Sequence, residues 1–106
     1  MTLREQQSRF VDMVRLLLAY ADFLGYEVTF GDCYRDARCK YGHPRSLHKT
    51  RRAIDLNLFK DGKYLQGKKA RAAHAKLHDF WDLIGGNKRI EDDMNHYSYS
   101  EGGGVR

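Results

Sequence analysis

The chain has 106 residues, 42% of them hydrophobic, with one proline and a formal net charge of +5. This length and composition fit a single folded domain and exclude a disordered or low-complexity chain. No apolar run nears the roughly 20 residues of a membrane-spanning helix, and the basic balance points to an anionic partner or a solvated basic surface.

The opening stretch TLREQQSRFVDMVRLLLAYADFLG reads as a helix. Thr2 and Glu5 have the spacing of a capping box. Leu3, Phe10, Val14, Leu17, Ala21 and Leu24 recur at helical intervals, and Gly25 supplies the stop. YEVTFGDCYR follows as a strand, with Val28 and Phe30 on one face. Residues 36–52 are irregular in pattern, with Gly42-His43-Pro44 as a loop signal.

From Ala53 to Phe59 the chain alternates: Ile54, Leu56 and Leu58 on one face, Asp55 and Asn57 on the other. Asp61-Gly62 is a hairpin signal, so residues 63–65 should pair back. A second helix is expected over about 68–84, its apolar stripe formed by Ala72, Ala75, Leu77, Phe80, Trp81 and Ile84, with Gly85-Gly86 at its end. MNHYSYS alternates enough for a last short strand. Of its two alternating pairs, Tyr97 with Tyr99 and Ser98 with Ser100, one should line the helix side and the other approach the open face. Residues 101–106 read as a flexible tail.

These elements make one α+β domain spanning residues 1–106, a small antiparallel sheet with helices packed on one face. The other face is then free to hold a site, and Asp55 points toward it. Strands disfavour aspartate, and a half-buried carboxylate is costly without partners. His48 can fold back to Asp55 from the preceding loop. Asp93 and His96 are three residues apart, so one turn of chain can project both to the same side. His48, Asp55 and His96 would be two imidazoles and one carboxylate, the ligand set of a catalytic zinc with its fourth position left for water. Asp93 is then placed to take the water's proton.

Other polar groups compete for notice. Cys33, Cys39, His43 and His48 offer a structural zinc site, which would suit a small basic nucleic-acid-binding protein. The five residues between the cysteines are more than the usual two to four, and no aromatic-basic stacking motif is present. His74 and His78 have a metal-binding spacing, but Ala75 stands where a zincin helix carries glutamate; they read as helix-surface residues.

The segment SLHKTRRAID resembles the Ser-x-His-x-x-Gly-x-Ala-x-Asp motif of zinc D-alanyl-D-alanine carboxypeptidases and L-alanyl-D-glutamate peptidases. DMNH resembles their later Glu/Asp-x-x-His motif, and TFGDCYR their upstream segment, whose arginine enters the active site. The chain is especially similar to short phage-borne members that serve as endolysins. The resemblance implies a Hedgehog/DD-peptidase-like fold with the metal site on the open sheet face. It implies a Zn2+ cofactor on His48, Asp55 and His96, Asp93 as general base and Arg35 as oxyanion stabiliser. Ser46 would orient its loop or contact substrate. It further implies a monomer acting on bacterial peptidoglycan, made in the cytosol without a signal peptide and reaching the cell wall after release. Two positions depart from the family pattern: Arg51 replaces its glycine, and Asp93 stands where many relatives carry glutamate.

Overall fold

The computed structural model describes residues 1–42 and 45–103. In chain order these form α1 (Leu3–Phe23), β1 (Glu27–Phe30), a one-turn 3-10 helix (Leu47–Thr50), β2 (Ala53–Lys60), β3 (Lys63–Tyr64), α2 (Gly67–Leu83) and β4 (His96–Ser98). The loop signal at His43 and Pro44 falls outside the described residues.

Helix α1 begins as its sequence predicts. Thr2 Oγ1 accepts from the Glu5 N–H at 3.1 Å and the Glu5 carboxylate accepts from the Thr2 N–H at 2.8 Å, a reciprocal cap worth about 1 kcal/mol. Gly25, at φ +90°, takes the left-handed turn after the helix. The buried stripe is Phe10, Met13, Leu17 and Ala21. Leu3 stands apart from it, half exposed in the first turn.

The sheet is organised around β2, with which every other strand pairs antiparallel. β1 lies along Leu56–Phe59, β4 along Ala53–Asp55, and β3 along Phe59 and Lys60. The β2–β3 hairpin turns through Asp61 and Gly62, both at positive φ, the conformation of a two-residue type I′ turn. The alternation in β2 is realised. Ile54, Leu56 and Leu58 are buried at 5% exposure or less, each burial contributing about 1.5–3 kcal/mol, while Asp55 and Asn57 are half-buried. In β1, Val28 packs against the core but Phe30, at the strand's end, remains exposed beside Leu18 and Asp22.

Helix α2 buries Leu77 and Trp81 as expected, with Phe80 and Ile84 packed partly against the core, but its buried face also takes in Ala73, His74 and His78. Ala72 is exposed, and the two histidines are in the interior rather than on the helix surface. The register follows its largest side chain. Trp81 is fully buried, edge-on to Phe10 and Tyr97, which turns the positions three, four and seven residues earlier inward. The imidazoles tolerate burial because each has a hydrogen-bond partner. Tyr20 stacked on Phe80, at 4.5 Å between centroids, joins the two helices.

The serines of the last segment do not approach the open face near Asp55. Asn87 Nδ2 donates to both Ser98 Oγ and Ser100 Oγ at 3.2 Å, so the pair is used to hold the chain that leaves α2. Tyr97 is fully buried on the helix side and Tyr99 packs partly against the same core. Of the expected tail, Glu101 N–H donates to Gln6 Oε1 and Gly103 N–H to the Ser100 carbonyl; residues 104–106 lie outside the described residues.

Candidate metal centre

Three separate chain segments bring the candidate ligands together. Asp55 comes from β2 and His96 from β4, and the two are direct cross-strand partners. His48 comes from the 3-10 helix. Ser46 caps that helix, its Oγ accepting from the His48 N–H at 3.2 Å, so Ser46 orients its loop. Arg51 closes the turn in a left-handed conformation, φ 56° and ψ 39°. A non-glycine residue in that conformation meets a steric cost of about 1–2 kcal/mol that glycine escapes. The Arg51 side chain turns away over the Tyr34 ring, 4.0 Å from its centroid.

His48 Nε2 and His96 Nδ1 approach the same Asp55 oxygen, at 3.2 and 3.3 Å. The rings are 5.0 Å apart and nearly perpendicular. Both histidines are buried, at 2% and 5% exposure. Burial works to raise the Asp55 pKa, but the hydrogen bonds from His48 and His96 outweigh it and hold the carboxyl at about 2. Asp55 is thus an anion throughout the neutral range. Gly31 runs close alongside; a Cβ there would lie 3.1 Å from Asp55 Cβ.

His48, Asp55 and His96 form a group that could hold a metal ion, their ligand atoms all within 4.8 Å of one another. The two separations to Asp55 support that use. Two ligand atoms held at about 2.0–2.1 Å from a tetrahedral ion stand about 3.3 Å apart. A charge-assisted hydrogen bond between imidazolium and carboxylate would close to about 2.7–2.9 Å. The distances of 3.2 and 3.3 Å fit the metal edge and are long for the ion pair.

All six candidate residues line one cavity of about 110 Å³: Arg35, Ser46, His48, Asp55, Asp93 and His96, with Gly42. Asp93 lies on the turn before β4, where its carbonyl accepts from the His96 N–H at 3.1 Å and its own N–H donates to Ile90. Arg35 is 8% exposed. It donates through Nη2 to Asp32 at 3.0 Å and lies over the Tyr41 ring, and Tyr41 O–H donates to the same Asp32 oxygen. Burial opposes the Arg35 cation, but the bonds to Asp32 and Tyr41 outweigh it and raise its pKa. A Cβ on Gly42 would fall 2.3 Å from Arg35 Nη1, so this glycine lets the backbone lie against the guanidinium.

The sequence does not single out Asp32 or Tyr41, and marks Gly42 only as part of a loop signal. The available signal for Asp32 was its place three residues before Arg35 in FGDCYR. The cysteines stand apart. Cys33 and Cys39 are free thiols, and among the described residues neither belongs to a metal-capable group, while His48 is directed to Asp55. His43, the remaining member of the Cys/His arrangement, lies outside the described residues. Among the described residues, no helix is long and apolar enough to cross a membrane. No family model, curated protein or solved structure matches the chain.

Proposed function

We propose that this chain is a zinc-dependent peptidase that hydrolyses an amide bond in the stem peptides of bacterial peptidoglycan. The observation that carries the reading is the pair of 3.2 and 3.3 Å separations between Asp55 and the two imidazoles, set in a cavity that also admits an acid–base group and a fixed cation. His48 Nε2, one Asp55 oxygen and His96 Nδ1 are the atoms that would hold the ion. When bound, zinc lowers the pKa of its water to about 7 and polarises a carbonyl oxygen.

The chain's own residues supply the rest. Asp93, on the cavity wall beside His96, accepts the proton of the attacking water and returns it to the departing amine. Arg35 presents a cation already oriented by Asp32 and Tyr41, so it needs no reorganisation to stabilise negative charge on the carbonyl oxygen. Ser46 acts through His48, whose helix it caps.

A cavity of about 110 Å³ admits the reacting atoms and leaves the substrate's body on the surface. The chain around the cavity residues is rich in basic side chains, with Arg38, Lys40, Arg45 and Lys49 preceding or following them in sequence, which suits an anionic wall polymer. Cleavage of either the L-alanyl-D-glutamate or the D-alanyl-D-alanine bond uses the same groups. The similarity to phage endolysins favours the first.

The test is mass spectrometry of purified muropeptides incubated with the zinc-loaded chain, the chelated chain and the His96→Ala variant. The expected result, from the zinc-loaded wild type alone, is either a stem with a new amino terminus at D-glutamate or a stem shortened by one D-alanine. Intact stems after incubation with a chain shown to contain zinc would overturn the assignment.

A further inference from the structure

His74 and His78 lie four residues apart on α2, at 5% and 0% exposure, and neither lines the cavity at Asp55. Their partners lie on the segment that carries Asp93 and His96. His78 Nε2 is 2.7 Å from the Met94 carbonyl oxygen. A carbonyl only accepts, so the ring proton sits on Nε2. The His78 ring also lies flat on Tyr97, 4.2 Å between centroids and 10° from parallel. The Tyr97 hydroxyl in turn pairs with His74 Nδ1 at 2.7 Å.

Helix α2 thus grips residues 89–97 at four points. Arg71 reaches Glu91, and Arg89 reaches back to Asp79 and Asp82; these are exposed ion pairs of small worth. The buried contacts are His74 with Tyr97 and His78 with Met94. Met94 is the residue after Asp93 and two before His96, so the His78 bond fixes the chain between them from the helix side, while the Asn95 carbonyl is held from β2 by the Leu56 N–H at 2.9 Å. A leucine would fill the volume of His78 without the cost of burying an imidazole. What the imidazole adds is a directed donor.

We propose that His78 is a positioning residue for the metal centre: by anchoring the Met94 carbonyl it sets where Asp93 and His96 enter the cavity. The inference rests on the metal-dependent reading above and extends it to a residue that touches neither metal nor substrate.

The experiment compares wild type with His78→Phe, His78→Gln and Leu77→Ala. Gln keeps an N–H near the Nε2 position; Phe keeps a ring without a donor. Leu77→Ala destabilises the same helix from the core side and leaves the turn's partners in place. Zinc affinity is measured by competition with a chromophoric chelator, and the absorption bands of the cobalt-loaded chain report ligand geometry. His78→Phe should lose about 10–100-fold in zinc affinity, the usual scale for groups that orient ligands, and shift the cobalt bands. His78→Gln should recover most of that loss. Leu77→Ala should melt earlier yet keep the wild-type affinity and spectrum.

Wild-type affinity and bands in His78→Phe would overturn the proposal. So would losses that track melting temperature across all three variants. If His78→Phe does not fold, His78→Gln against His78→Asn decides: Asn is one methylene short of Met94, and equal zinc affinity in the two would overturn the proposal. A wild-type chain that takes up no zinc fails at the earlier step, sinking the metal reading and this inference with it.

Discussion

Arg51 lies with its guanidinium 4.0 Å from the centre of the Tyr34 ring while its own backbone is left-handed, at φ 56°. The two features oppose each other energetically. The backbone costs about 1–2 kcal/mol; an exposed cation–π contact contributes about 0.5–1 kcal/mol. Arg51→Gly removes both and should leave stability within about 0.5 kcal/mol of wild type, because glycine also raises the entropy of the unfolded chain. Arg51→Ala keeps the strain and loses the contact, so it should be the less stable variant by about 0.5–1 kcal/mol. Urea denaturation ranks them. Ala at or above Gly would mean that the left-handed conformation does not govern this position.

Asp93 should matter to rate and not to metal. It lines the cavity but is outside the group His48, Asp55 and His96. Asp93→Ala is expected to retain zinc by elemental analysis and to lose about 100-fold or more in turnover, the ordinary contribution of a general acid–base group. Normal turnover with zinc retained would move the role elsewhere, first to the neighbouring Asp92.

Gly86 is a packing requirement rather than a conformational one. A Cβ at this residue would lie 2.0 Å from Trp81 Nε1, whose N–H donates to the Ser98 carbonyl at 2.9 Å. Gly86→Ala must displace a fully buried indole and break that bond, at a cost of about 2 kcal/mol or more. Its neighbour Gly85 has φ +98° and open space around it, so Gly85→Ala should cost only about 1 kcal/mol in backbone strain. Denaturation midpoints that put Gly85→Ala below Gly86→Ala would refute the packing explanation.

The interior histidines should make the metal-free protein acid-sensitive. Burial, reinforced by the nearby His78, holds the His74 pKa down at about 4 from the ordinary 6.5. The unfolded chain then binds a proton that the folded chain refuses, so stability falls as pH drops from about 6.5 to 4. His74 alone contributes at most about 3 kcal/mol to that loss, at 1.36 kcal/mol per unit. With chelator present to remove the ligands' metal linkage, melting curves at stepped pH should show this decline, and His74→Gln should flatten it. An unchanged slope in His74→Gln would assign the sensitivity to other groups. Asp55, held at about 2, adds its own loss only as pH falls below the ordinary carboxylate range.

Much of this molecule is encoded by short-range rules that act before any tertiary contact forms. The Thr2–Glu5 cap, the turn at Asp61 and Gly62, and the two-residue period of Ile54 to Leu58 each depend on neighbours within a few positions. Alternation and short spacings likewise marked His48, Asp55, Asp93 and His96, and the motif resemblance added Arg35 and Ser46; all six line one cavity. Only the tertiary structure decided what His74 and His78 do. A polarity pattern assigns an imidazole to solvent, and that assignment fails when a distant hydroxyl or carbonyl offers the buried ring a partner. The same holds for Ser98 and Ser100, drawn to Asn87, and for Asp32 and Tyr41, which acquire a role only once Arg35 is buried between them. Hydrogen-bond partners from remote segments reverse the sign of a polar group's burial energy, and no local window of sequence contains them.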